Sequence, residues 1–183
     1  MKGMVFTTFL EMVEERFSLE MVDSMIEAAN LPSGGAYTSL GTYSHEEFIQ
    51  LVVQLSRETG MAVPDLVRSF GEYLFVRLAA GHPQMVDTRQ SLFDFLHRVD
   101  SYIHVEVRKL YPDAELPAFT YASPSPSMLV MTYRSSRPFA DLAEGLIAGA
   151  ILHFGEPVRM EREDSTDEQG AATRFTMTLQ ELG

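Results

Sequence analysis

The spacing of apolar residues changes along this chain, and the change constrains the fold more than any other feature. Before Pro112, apolar side chains recur every three or four positions, as on one face of a helix. In the first such segment these residues are Val5, Phe9, Met12, Val13 and Phe17. The pattern predicts helices over residues 3–17, 19–29, 45–59, 63–79 and 91–110.

After Pro112, short apolar runs bounded by Ser and Pro are typical of strands. We expect strands at 119–121, 128–133, 157–161 and 174–179. The last two form a hairpin whose connection, EDSTDEQGA, is polar and expected to be mobile. A further helix is predicted over 138–154, where Gly145 and Gly149 allow close approach of another element. The fold class is therefore α+β, a helical N-terminal half packed against a small C-terminal antiparallel sheet that carries one helix.

Composition excludes several classes of function. The chain has no Cys, which rules out disulfides, Cys-ligated zinc, iron–sulfur clusters and thiol catalysis. Its net charge of −12, with no basic cluster, makes nucleic acid an unexpected partner. No apolar run approaches the roughly 20 residues that cross a bilayer, and Glu11 interrupts the first apolar stretch before a secretory leader is complete. We expect a cytoplasmic protein without a membrane segment.

The histidines offer one candidate metal site. His97, Asp100 and His104 fall at i, i+3 and i+7 of the predicted long helix, so one face presents two imidazoles and a carboxylate, formally a metal-ligand spacing. No further ligand cluster is evident, and a metal-dependent enzyme using these three residues stays open only as an alternative. The remaining histidines are expected at the surface: His45, His82 and His153.

Two further features are a histidine beside an apolar stripe and a polar cluster at the end of a predicted strand. His104 lies beside the apolar stripe of the helix 91–110, where it either points into an apolar cavity or bonds a backbone carbonyl at the core edge. If residues 133–137 are extended, alternation places Tyr133, Ser135 and Arg137 on one side, offering two hydroxyls and a guanidinium to one anionic group. From the pattern alone, a strand end with a solvated arginine is the favoured interpretation of the second feature.

Taken together, these features carry a resemblance. MKGMVF at the start, RSFGEYLF (68–75), IHVEVRKLYPDAELP (103–117) and YRSSR (133–137) resemble bacterial H-NOX (haem nitric oxide/oxygen binding) proteins, which are related to the haem domain of soluble guanylate cyclase. The resemblance covers essentially the whole chain. It implies one domain over 1–183, with a distal helical subdomain (1–60), a proximal subdomain (61–183) containing the helix 91–110 and the sheet, and haem b between them.

The resemblance also implies roles for individual residues. His104 matches the proximal iron ligand, Pro117 matches the proline that presses on the porphyrin, and the propionate-binding triad matches Tyr133, Ser135 and Arg137. The distal wall matches apolar residues only, namely Val5, Phe9, Leu74, Leu78, Leu142 and Leu146. Relatives that hold dioxygen carry a Tyr where this chain has Leu142, so the resemblance implies a five-coordinate ferrous haem that binds nitric oxide and carbon monoxide and discriminates against dioxygen.

The partners follow from the same resemblance. We expect a non-enzymatic sensor that signals in trans to a histidine kinase or a cyclic-dinucleotide enzyme, since the chain contains no output segment of its own. A haem-free small-ligand binding module of the same fold is the alternative. The zinc site of many relatives is not carried over, because the chain lacks cysteine.

Overall fold

A computed structural model of the chain describes residues 1–87, 89–168 and 170–180. The N-terminal half is helical, as the apolar spacing predicts. It consists of α1 (Gly3–Arg16), α2 (Leu19–Ala29), α3 (His45–Thr59) and α4 (Val63–Gly81), followed by a short 3-10 turn (Pro83–Met85). No helix of the described ranges has the length and apolar character of a membrane span.

The prediction of one continuous helix over 91–110 is wrong. It is divided into α5 (Leu92–His97), a π-helical turn (Val99–Ile103) and α6 (His104–Leu110). The carbonyl of Arg98 accepts from the amides of both Tyr102, at 2.9 Å, and Ile103, at 3.1 Å, so this turn contains one residue more than an α-helical turn. One extra residue rotates everything after it by about 100°, which changes the face that His104 presents.

The C-terminal part forms one antiparallel sheet and one helix. The strands are β1 (Ala118–Ser125), β2 (Met128–Arg134), β3 (Val158–Asp167) and β4 (Gly170–Leu179), in the order β1-β2-β4-β3, and α7 (Ala140–Phe154) connects β2 to β3. β3 and β4 pair from Val158↔Leu179 to Asp167↔Gly170, so they run through most of the segment predicted as a mobile connection. Gln169 of that segment lies outside the described residues. The polar composition of the segment 163–171 fits two exposed strands as well as a loop.

The buried residues form two cores. The helical core is built by α1–α3 and the first half of α4, and its large members include Phe6, Phe9, Phe48 and Phe70. The sheet core lies between α4, α5 and α7 and the inner face of the sheet, where Met131 of β2 is opposite Phe175 of β4. The predicted packing of a helical half against a sheet-bearing half is confirmed. The division at residue 60 stays a prediction, because α4 contributes to both cores.

α4 and α7 cross in close contact, which joins the two cores. A Cβ on Gly145 would lie 2.1 Å from the carbonyl oxygen of Arg68, and one on Gly71 would lie 2.6 Å from that of Leu142. A Cβ on Gly149 would lie 2.8 Å from the Cβ of Phe75. The expected close approach at Gly145 and Gly149 is therefore present, and α4 is the element approached.

Candidate functional site

A cavity of about 360 Å³ lies between the two cores. Its walls come from α1, α4, the segment from α5 to α6, β2 and α7, and they are apolar over most of their area. This volume is within the range of about 300–1,000 Å³ that small-molecule and cofactor sites occupy. The polar side chains of one edge contact each other, Lys2 with Asp113 and Arg137 with Glu115.

His104 is the buried polar residue of the cavity wall. It begins α6, is 9% exposed and lines the cavity. Its Nδ1 lies 2.7 Å from Oδ1 of Asp100, although the ring N–H is not aimed closely enough at that oxygen for a well-directed hydrogen bond. Burial lowers the pKa of His104 below its ordinary value against the opposing effect of the Asp100 carboxylate, so the imidazole is neutral at neutral pH. A neutral imidazole whose Nδ1 faces a carboxylate has Nε2 free to ligate a metal.

Asp100 is itself fixed from the other side. Its Oδ2 accepts a hydrogen bond of 2.8 Å from the backbone N–H of Phe119 at the start of β1. The carboxylate therefore joins the π-helical turn to the sheet and orients His104, as an outer-shell partner does at a metal-ligating histidine.

The alternative metal site is not assembled. The ring of His97 points away to β1, where Nε2 lies 3.0 Å from Oγ of Ser123, and His97 does not line the cavity. Within residues 1–87, 89–168 and 170–180, no group of three metal-ligating side chains is present. The metal-dependent enzyme therefore has no support from the structure.

The predicted anion-binding triad lies at the polar edge of the cavity. β2 ends at Arg134, so the segment is not extended to residue 137 as the alternation argument assumed; the chain turns, and Oγ of Ser135 accepts from the N–H of Arg137 at 3.1 Å. Even so, Tyr133, Ser135 and Arg137 all line the cavity. Tyr133 is buried, which raises the pKa of its hydroxyl, while the guanidinium of Arg137 contacts the carboxylate of Glu115. The edge thus offers an arginine and two hydroxyls to an acid group.

Of the remaining residues predicted at the site, six line the cavity and Phe9 does not. Those that line the cavity are Val5, Leu74, Leu78, Pro117, Leu142 and Leu146. Phe9 does not line it: its side chain is fully buried in the helical core, with its ring 5.1 Å from that of Phe48 and 5.2 Å from that of Phe70. Phe9 therefore supports the wall from behind.

Sequence reasoning missed some cavity residues. His82, expected at the surface, is half-buried and lines the cavity one turn beyond Leu78. The signal was available: Leu74, Leu78 and His82 are four residues apart, but the predicted helix ended at 79 whereas α4 ends at Gly81. Lys2, Thr42 and Asp113, at the polar edge, carry no local signal because they are distant in sequence.

This geometry fits a flat apolar ring system that carries acid groups. The apolar walls would bury the ring, at about 25 cal/mol per Å² of apolar surface removed from water. The neutral imidazole of His104 is a suitable ligand for iron at its centre. Arg137 and the two hydroxyls would compensate the acid groups, which are costly to desolvate without partners. A haem has each of these features.

Comparison with known proteins agrees with this fit. Residues 2–162 match the model of a family described as haem-NO-binding. The crystal structure of the Fe(II) unliganded H-NOX protein from K. algicida shares 37% identity, with a TM-score of 0.90, over 100% of this chain and 98% of that one. The solution structure of the IWP-051-bound H-NOX from Shewanella woodyi, in the Fe(II)CO ligation state, shares 43% identity, with a TM-score of 0.84, over 100% and 96%.

A third structure extends the comparison to another ligation state. The crystal structure of an H-NOX protein from S. oneidensis in the Fe(II)NO ligation state shares 26% identity, with a TM-score of 0.89, over 99% of this chain and 100% of that one. Among curated proteins, no sequence matches this chain.

Proposed function

Because this chain belongs to the haem-NO-binding (H-NOX) family of haem-based gas-sensor domains, which are not catalysts, we propose that it binds nitric oxide and carbon monoxide at a five-coordinate ferrous haem b ligated by His104. The observation that carries the proposal is the pairing of a buried neutral imidazole with an apolar cavity edged by an arginine. When bound, the haem iron supplies an open coordination position for a diatomic gas.

The residues around the cavity have separable tasks. His104 holds the iron, and Asp100 places a carboxylate 2.7 Å from Nδ1 on the other side of the ring. Tyr133, Ser135 and Arg137 hold the propionates; for this, Arg137 exchanges its present contact with the exposed Glu115 for a contact with a propionate. Pro117 packs against the ring system from the segment that follows α6.

Discrimination against dioxygen follows from the chemistry of the distal wall. Bound dioxygen is polar and gains from a hydrogen bond, whereas nitric oxide and carbon monoxide need one far less. The side chains that α1, α4 and α7 place on this wall carry no donor: Val5, Leu74, Leu78, Leu142 and Leu146. We propose that this wall makes the protein a nitric oxide sensor in air.

Substitution at residue 142 tests the selectivity. A Tyr donor in Leu142→Tyr should raise dioxygen affinity about 10- to 100-fold, since a hydrogen bond to a charged acceptor contributes about 1.5–3 kcal/mol. The measurement is the absorption spectrum of the ferrous protein titrated with dioxygen. Leu152→Tyr is the control, because Leu152 is on the same helix but is 73% exposed. An unchanged dioxygen affinity in Leu142→Tyr would remove residue 142 from the distal wall.

The cofactor and its ligand are tested by absorption spectroscopy of purified protein. We expect a Soret band that moves when nitric oxide is added to the ferrous protein. His104→Ala should abolish native ligation, with partial rescue by imidazole, whereas His97→Ala should leave the spectrum unchanged because His97 is outside the cavity. An unaltered ferrous spectrum in His104→Ala would refute the ligand assignment. A colourless protein that takes up no added haemin would favour the haem-free binding module.

We propose that the signal passes to a separate histidine kinase or cyclic-dinucleotide enzyme. His104 is the first residue of α6, so any change in its ligation acts directly on that helix. The test adds unliganded and nitric-oxide-bound protein to the purified partner enzyme and compares its activity. Equal activity with the two forms would exclude that enzyme as the output.

A further inference from the structure

The segment 111–117 runs along the polar edge of the cavity between α6 and β1, and it is tied to the helical core by one carboxylate. Nζ of Lys2 lies 2.8 Å from Oδ1 and 3.2 Å from Oδ2 of Asp113. Oγ1 of Thr42 donates to Oδ2 of the same carboxylate at 2.8 Å, and Nζ of Lys2 also donates to Oγ1 of Thr42 at 2.8 Å. These three side chains form a closed set of contacts, here named the Asp113 clasp.

The partners of Asp113 are well anchored. Lys2 immediately precedes α1 and forms an isolated antiparallel bridge with Thr42, so the two belong to one local structure. The Lys2 side chain is only 13% exposed, and its ammonium lies 5.5 Å from the centre of the Tyr111 ring. Lys2 and Thr42 hold the pKa of Asp113 at about 2, so this carboxylate is charged at neutral pH.

The position of the clasp gives it a consequence for the cavity. Lys2, Thr42 and Asp113 all line the cavity at the edge where Arg137 lies. The clasp joins the start of α1 to the segment that follows the His104 helix, and it therefore links the two halves at this edge. Separation of the two sides would open this edge to a departing ligand.

We propose that Asp113 is a positioning residue for the cofactor: with Lys2 and Thr42 it keeps the polar edge of the cavity closed and slows the loss of haem. The inference rests on the proposed haem-binding function. It concerns only the rate of exchange, since Asp113 neither ligates the iron nor belongs to the triad that holds the propionates.

The test is the rate of haem transfer from the ferric protein to excess apomyoglobin, followed by absorbance. Asp113→Asn should release haem about five-fold faster, because the ion pair with Lys2 across this edge is lost. Lys2→Met should have a similar effect, and the double variant should be no faster than either single one. Raised salt should speed release from the wild type more than from Asp113→Asn. Glu163→Gln is the matched control, because that carboxylate pairs with Arg174 on the sheet, away from the cavity.

The outcomes distinguish a failure of the proposed role of the clasp from a failure of the proposed haem binding. Equal release rates in the wild type and Asp113→Asn, or equal acceleration in Glu163→Gln, overturn the clasp while leaving haem binding intact. A wild-type protein without a Soret band overturns the haem function and the clasp with it. If Asp113→Asn lowers the thermal midpoint, Thr42→Val, which removes two hydrogen bonds and no charge, must still speed release. A failure to do so also overturns the clasp.

Discussion

The crossing of α4 and α7 makes a quantitative prediction about Gly145. A Cβ at this position would lie 2.1 Å from the carbonyl oxygen of Arg68 and 2.8 Å from Cα of Gly71. An ordinary carbon–oxygen contact is about 3.3–3.6 Å, so Gly145→Ala requires the helices to separate by about 1.2–1.5 Å. Both clashes are with backbone atoms, which no change of side-chain rotamer can relieve.

The cost follows from the size of that displacement. Overpacking of a well-packed contact typically costs about 1–3 kcal/mol, and for a chain of this length each 1 kcal/mol lowers the thermal midpoint by about 2–4 °C. We therefore expect Gly145→Ala to unfold about 2–12 °C below the wild type. The assay is thermal and urea denaturation of the same preparation followed by circular dichroism. Leu142 and Leu146 lie on the cavity wall, three residues before and one residue after Gly145, and should be displaced with α7.

Gly81→Ala provides the control. It is the last residue of α4, has no atom within 4 Å of an added Cβ, and should be neutral or stabilising because Ala favours helix. A Gly145→Ala variant as stable as the wild type would refute the reasoning, since the observed separation of the helices leaves no room for the methyl group.

Two further predictions concern charged groups. Asp100→Asn should lower the iron–histidine stretching frequency in resonance Raman spectra and weaken haem affinity about 10-fold, because it removes the charge beside His104. The amide oxygen of the new side chain can still accept a hydrogen bond from Phe119. An unchanged stretching frequency would contradict the prediction. Asp164 has a pKa held below 3.8 by Arg162 and then by the Thr173 hydroxyl, so its contribution to stability is present above pH 3.8 and lost as the pH falls further. Asp164→Asn should therefore lose less unfolding free energy than the wild type between pH 5 and pH 3 in urea titrations, and parallel losses would count against the assignment.

The sequence predicts the elements of this fold well where apolar spacing is regular, and less well where backbone geometry changes. The helices 3–17, 19–29 and 45–59 differ from α1, α2 and α3 by at most one residue at an end. The prediction of one helix over 91–110 fails because a π-helical turn leaves no trace in apolar spacing. Within this turn Asp100 accepts a hydrogen bond from Phe119 of the first strand, a contact distant in sequence. Only the folded chain reveals which way His104 faces.

A helix start shows the same limit on a smaller scale. Ser44 and Glu47 predict a capping box, and Oγ of Ser44 does accept from the N–H of Glu46, at 3.2 Å. The Glu47 carboxylate instead accepts from Tyr37 at 3.0 Å and from Ser33, and Glu47 is only 5% exposed. The local pattern correctly predicts where α3 begins. The hydrogen-bond partners of the buried Glu47 carboxyl group, in contrast, come from residues outside the helix.

In the candidate site too, residues that are close in sequence are predicted together, whereas contacts between distant segments are not. Tyr133, Ser135 and Arg137 are close in sequence, so their proximity survives even though the assumed extended conformation is wrong. The resemblance places Phe9 on the distal wall, yet Phe9 lies in the helical core, where its ring contacts those of Phe48 and Phe70. The Asp113 clasp joins residues 71 and 111 positions apart, and no local pattern predicts such a pairing.

The path of α4 has a consequence for how the molecule unfolds. The helix contributes Phe70 to one core and Phe75 to the other, little more than one turn apart. Neither core can lose its structure without freeing a helix that the other needs, so the two melt together. We expect one cooperative transition, with calorimetric and van't Hoff enthalpies that agree, in place of the separate steps that two independently folded units would give.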